Sequence, residues 1–271
     1  MKGKFLSYLS GGARNALIVV AGFTMFTIFA SPASATVHFG VRCEDTFQDN
    51  WAPTIDVYNG CDNFISVIKL DYPVDFYFNL QGAQPAFEYG NADETCNGCG
   101  GVDSVDFFFM STHGDSNIAT VNNAVYAMWD YQTWASAYQM RLGDSGKQVK
   151  AFATFSCDTL YNADGQFWHR WSSALSGGVK SLFGAHGVLY TAEDDQAMPA
   201  FAKYVIWNDA LGSGWLNAVY DWNNGNEPTI ANTGSNANNC WTRQGVNLSG
   251  LMSESPLRDS QIGYYCWSNW N

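Results

Sequence analysis

The sequence predicts an α/β fold, a central and mostly parallel sheet flanked by helices, on three observations. First, the runs Val105-Asp106-Phe107-Phe108-Phe109-Met110 and Val149-Lys150-Ala151-Phe152-Ala153-Thr154-Phe155 are nearly continuously apolar, the pattern of strands covered on both faces. Second, Met128, Tyr131, Ala135, Tyr138 and Leu142 recur between them at spacings of three and four before Gly143, which reads as the crossover helix of a parallel pair. Third, Phe167, Trp171 and Leu175 make a further apolar helical face ending at Gly177-Gly178, and Val179 to Gly184 reads as the next strand.

In open α/β sheets, ligands bind outside the carboxyl ends of the strands. The first run ends in Ser111-Thr112-His113-Gly114 and the second in Ser156-Cys157, so His113 and Cys157 are candidates for one site. An imidazole beside a thiol is the usual means of making a thiolate near neutral pH. The glycine after the histidine lets a substrate carbonyl approach closely, and the backbone N–H groups of Gly114 and Cys157 could face a developing oxyanion. Together these are the parts for acyl transfer.

An apolar block ending in His-Gly, followed 44 residues after the histidine by a cysteine that closes a second apolar block, resembles the caspase-like cysteine peptidases, which include caspases, legumains, gingipains and clostripain. Gly101-Val102-Asp103-Ser104-Val105-Asp106 and the stretch from Trp171 to His186 look like a little-characterised family of secreted proteins in that clan. The resemblance covers roughly residues 100–222. It implies a caspase-like three-layer sandwich and a Cys-His dyad, with Cys157 as nucleophile, His113 as base and Gly114 contributing to the oxyanion hole. Asp115, Ser156, Asp158 and His186 are expected to bind substrate. No arginine motif matches the basic pocket of the caspases, so aspartate specificity is not implied.

Taken in order, the chain opens with Lys2, Lys4 and Arg14, an apolar run from Ala16 to Ala30 and the small residues Ala33-Ser34-Ala35, the layout of a secretory signal peptide over 1–35. A membrane anchor is the other reading, but the run is short against the roughly 20 residues a span needs. Removing that segment leaves 10 basic residues (13 less 3) against 25 acidic, a charge of −15. Nucleic acid and anionic lipid are therefore poor partners, and no membrane association is expected after cleavage. The remaining 236 residues (271 less 35) suffice for one domain over 36–271, with an irregular C-terminal addition from about 223.

All seven cysteines follow the leader, so an oxidising compartment would pair six and leave one. Cys157 closes a strand block, whereas the others lie in polar, turn-rich segments. Sequence proximity suggests Cys43–Cys61, Cys96–Cys99 and Cys240–Cys266. Cys96-Asn97-Gly98-Cys99 could also be a redox motif or half a zinc site, but it opens a turn and no second ligand pair follows.

Thr36 to Arg42 alternates as a strand with His38 half-exposed, and Ile65 to Leu70 and Val74 to Leu80 read as further strands, or strand and loop. Residues 81–101 read as a long loop able to build a substrate pocket. Asp115 could orient His113 or be a turn residue. His169 points away from the apolar face of its helix. Glu193-Asp194-Asp195 could bind calcium or a basic side chain, or cap a helix from about Gln196 to Leu211. Trp215 to Trp222 reads as a helix, Asn223 to Asn239 as a loop, and Cys240 to Trp270 as short strand-like pieces pinned by a disulfide.

The function this predicts is a secreted hydrolase, extracellular or periplasmic, acting on peptide or protein substrates by hydrolysing or transferring peptide and amide bonds. It would need no cofactor and no metal. The alternative is a non-catalytic adhesion or glycan-binding protein on the same scaffold, suggested by the abundance of Trp, Tyr and Asn.

Overall fold

The computed structural model describes residues 36–44, 55–80, 102–115, 125–127, 134–137, 142, 149–189, 194–222, 227–255, 257 and 259–270. The chain divides into units 1–35 and 36–271, and all described residues belong to the second. The signal-peptide segment, Cys96–Cys99 and the loop over 81–101 lie outside the described residues.

Seven strands form the main sheet: β1 (Phe39–Glu44), β2 (Val74–Leu80), β3 (Phe107–Ser111), β7 (Ala151–Phe155), β8 (Ser181–Ala185), β9 (Pro228–Gly234) and β10 (Tyr264–Asn269), in the order β10-β9-β8-β7-β3-β1-β2. The pairs from β2 through β8 are parallel, while β9 and β10 run antiparallel. Alternation along each strand feeds two cores. Phe107, Phe109, Ala151, Ala153, Phe155 and Phe183 face helices α1 (Ile55–Ile68), α3 (Asp194–Ile206) and α4 (Leu211–Trp222). Phe108, Met110, Phe152 and Leu182 face α2 (Phe167–Leu175). The expected mostly parallel sheet flanked by helices is therefore present. In α2, Phe167, Trp171 and Leu175 are fully buried and His169 is exposed, as their spacing requires; each large side chain contributes roughly 1.5–3 kcal/mol of burial.

Four expectations are corrected. Ile65 to Ile68 is the last turn of α1, not a strand; Cys61, Phe64, Ile65 and Ile68 fall at helical spacing and are all buried. Of the crossover helix expected over 128–142, only 134–137 and 142 are described, and Trp134–Ser136 is a strand, β6. With β5 (Val125–Ala127) and β4 (Gly114–Asp115) it makes a small antiparallel sheet. Aromatic and β-branched residues are at home there, and a parallel crossover needs length rather than a helix. The helix expected to reach Leu211 ends at Ile206, because Asn208 turns left-handed (φ 55) and the chain restarts as α4. Finally, residues 228–234 are a fully buried strand rather than loop, and β9 and β10 complete the sheet in place of an irregular addition. Polar side chains of β9 bond within the core: Asn232 Oδ1 accepts from the Ser181 hydroxyl at 2.7 Å, and the Thr233 hydroxyl donates to the Val179 carbonyl at 3.3 Å.

Cys43–Cys61 ties β1 to α1 and Cys240–Cys266 ties α5 (Ala237–Thr242) to β10, as expected. Their 18- and 26-residue separations correspond to about 3 kcal/mol each in unfolded-state entropy. No described helix is long and apolar enough to cross a membrane.

Candidate active site

β3 and β7 pair in parallel with Phe107 opposite Ala151 and Ser111 opposite Phe155. His113 and Cys157 each follow the last pair of that register by two residues, beyond the carboxyl ends of neighbouring strands. Alternation gives both positions the parity of Phe109 and Phe155, and Cys157 packs against the same core. The Ser111 hydroxyl donates to the Phe155 carbonyl at 3.1 Å, closing the strand ends together. His113 and Cys157 are both half-buried, and Cys157 carries a thiol.

Gly114 is fixed by close approach. A Cβ there would lie 2.5 Å from the Cys157 carbonyl oxygen, 2.8 Å from Thr159 Cγ2 and 2.9 Å from Ser156 Cβ. Only glycine lets the chain leaving His113 lie on the backbone that carries the sulfur. From there β4 enters the small sheet, with Gly114 opposite Tyr126 and Asp115 opposite Val125.

The turn after Cys157 is held from several sides. Asp158 has φ 53, a left-handed conformation that costs any non-glycine residue. Its N–H donates to the Gly187 carbonyl at 2.9 Å, and Leu160 N–H donates to Ala185 at 2.8 Å. The indoles of Trp171 and Trp267 donate to the consecutive carbonyls of Thr159 (2.8 Å) and Leu160 (2.9 Å). Ser156 is buried and its hydroxyl accepts from Thr154, so it supports the turn and is out of a substrate's reach. This corrects its expected substrate contact.

His186, at the tip of β8, does not offer a ring nitrogen to the sulfur. Its Nδ1 accepts from Asn162 N–H at 3.1 Å and its Nε2 lies 3.5 Å from Glu227. The ring stacks on Tyr161 (4.9 Å) and meets Trp267 edge-on (5.3 Å). Burial is the main cause that holds its pKa below the ordinary value, with Glu227 opposing and Arg170 reinforcing. His186 is a neutral, fastened ring.

The surroundings are acidic. Burial first, then the fields of Asp115 and Glu227, raises the Asp158 carboxyl above its ordinary range. Glu227 reaches this edge because β9 is antiparallel and so begins at the carboxyl end of β8. Sequence reasoning missed Glu227, which fell in a stretch with loop composition. It also missed Leu189, whose backbone N–H donates to Cys157 Sγ at 3.4 Å; a main-chain role leaves no side-chain signature. Asp194 opens α3, in keeping with the capping reading of the acidic cluster. No group of three or more His, Cys, Asp or Glu among the described residues could hold a metal ion.

Comparison with known proteins gives two findings. The family described as Domain of unknown function (DUF6345) matches residues 59–269. Among solved structures, the chain is similar to a secreted C11 cysteine protease from Bacteroides thetaiotaomicron, "iotapain", at 13% identity and a TM-score of 0.42, covering 77% of this chain and 67% of that one. No curated protein matches.

Proposed function

We propose, for a chain that belongs to the family described as Domain of unknown function (DUF6345), a secreted cysteine hydrolase that cleaves or transfers peptide and amide bonds through Cys157 and His113. The observation that supports the reading is the β3–β7 register, which ends with Ser111 opposite Phe155, two residues before His113 and Cys157 respectively. The absence of room for a Cβ at Gly114 supports it, because that glycine brings the two chain segments together.

In this reading His113 takes the thiol proton as Cys157 attacks the substrate carbonyl. Backbone N–H groups at Gly114 and Cys157 face the oxyanion. His113 then returns the proton to the leaving amine, and water or a second amine releases the acyl group from its thioester. Asp115, Asp158 and Glu227 give the pocket a negative field, which favours substrates with a basic side chain next to the cleaved bond. Secretion through residues 1–35 fits the two disulfides among the described residues.

The test is cleavage of a diverse peptide library, with Cys157→Ala and His113→Ala as controls. Cleavage absent from both variants is expected; cleavage that persists in Cys157→Ala overturns the proposal. A binding role has one observation in its favour, the exposed ring pair of Tyr220 and Trp270, 5.8 Å apart. Glycan binding by the Cys157→Ala protein together with an inert library would favour that role.

A further inference from the structure

We infer that the main-chain amide of Leu189 is a positioning group that holds and stabilises the ionised sulfur of Cys157, presented by a strap, Ala185 to Leu189, built for that purpose. The inference rests on the reading of Cys157 as nucleophile. Leu189 N–H donates to Sγ at 3.4 Å and the Leu189 carbonyl lies 3.6 Å from the same sulfur. A neutral thiol can donate to that carbonyl. Once ionised, it is repelled by the carbonyl and drawn to the amide, because a donor to the charged form favours it.

The acidic surroundings give such a donor a role. The charged or titratable groups at this edge of the sheet are His113 after β3, Asp115 on β4, Asp158 next to Cys157, His186 after β8 and Glu227 before β9. Three of these are carboxylates, which oppose a thiolate. His186 is kept neutral, chiefly by burial, and supplies no compensating charge. That leaves His113 and fixed dipoles, and an amide cannot be lost by titration.

The strap is anchored at Ala185, His186 and Gly187, upstream of the donor. Ala185 and Gly187 carbonyls accept from Leu160 and Asp158, and His186 N–H donates to the Glu227 carbonyl at 2.9 Å. The His186 ring is clamped between Tyr161 and Trp267 and bonded to Asn162. At the far end the Leu189 side chain is buried in the main core. Val188, between Gly187 and the donor, is half-exposed.

The test is a pH titration of the 15N-labelled protein by NMR, run beside the pH profile of Cys157 alkylation by iodoacetamide. The Leu189 amide proton is expected to shift with the alkylation midpoint, and the shift to vanish in Cys157→Ser. Leu189→Pro, which deletes the donor, should raise the alkylation midpoint by about 1–2 pH units, while Leu189→Ala leaves it in place. A Leu189 amide that stays flat through the alkylation midpoint overturns the inference, and so do equal midpoints in folded Leu189→Pro and Leu189→Ala. The titration arm needs no substitution at Leu189, so a misfolded proline variant does not shield the claim. Peptide cleavage that survives Cys157→Ala defeats the nucleophile reading instead, whatever the Leu189 amide does.

Discussion

Gly114→Ala tests the site geometry without removing a functional group. The added methyl would stand 2.5 Å from the Cys157 carbonyl oxygen and 2.9 Å from Ser156 Cβ, neither of which can swing aside. Restoring ordinary contact near 3.5 Å requires the chain after His113 to retreat by about 1 Å from the turn that carries the sulfur. A displacement of that size can cost about 100-fold in rate, or roughly 2.7 kcal/mol in the barrier. Overpacking should cost about 1–3 kcal/mol of stability. The assay is kcat/KM on the best library peptide, the iodoacetamide rate at Cys157, and the urea midpoint. Gly165→Ala is the control: its φ of +70 strains any side chain, but nothing lies within 4 Å. It should lose roughly 1–2 kcal/mol of stability with no change at the thiol. A folded Gly114→Ala protein within threefold of the parent in both rates would refute the reasoning.

Four further outcomes are expected. His113→Ala should lower the acylation rate by roughly 10²–10⁴-fold, whereas His186→Ala should affect KM and stability more than kcat; the reverse pattern in steady-state kinetics would move the base to β8. Because the fold keeps His186 below its ordinary 6.5, stability should fall as pH drops through that value, and His186→Gln should flatten that part of the curve in urea unfolding. The fold raises the Asp158 carboxyl above its ordinary 3.8, so its ionised form opposes folding: Asp158→Asn should stabilise the protein at pH 7, by more than it does near pH 4. Lys180 is buried, with its pKa lowered to about 8 chiefly by that burial, while Glu254 opposes the shift. The charged form is thus disfavoured in the fold, native stability should gain between pH 8 and 10.5, and Lys180→Met should be neutral or stabilising at pH 7, since Arg243 still pairs with Glu254. A loss above about 3 kcal/mol in chemical denaturation would contradict it.

The parallel strands were legible because burial on both faces demands continuous apolar runs, and Phe107 to Met110 and Ala151 to Phe155 have few other uses. The strand ends were legible for the same reason: a polar residue that abruptly ends such a run, as His113 and Cys157 do in the sequence, follows the strand's carboxyl end. The fastening of His186 was not, since its partners Tyr161, Asn162, Glu227 and Trp267 are far apart in sequence and meet only through the sheet. Strand β9 escaped notice because the partners of its polar side chains, the Glu227 carbonyl for Thr229, Ser181 for Asn232 and the Val179 carbonyl for Thr233, are invisible to composition. Ala135 falls at helical spacing in the sequence, but it pairs with Tyr126 across β5 and β6.

The described sulfur atoms are sorted by depth. Cys43, Cys61, Cys240 and Cys266 are at most 2% exposed, while Cys157 is half-buried at the sheet edge. Exchange requires a thiolate to reach a disulfide in line, and neither described bridge can be approached without unfolding the layer around it. A nucleophilic cysteine can thus live in the same chain as structural disulfides without scrambling them. Mild reductant able to regenerate an oxidised Cys157 should leave both bridges closed, so the thiol can be kept active under conditions where the scaffold stays cross-linked.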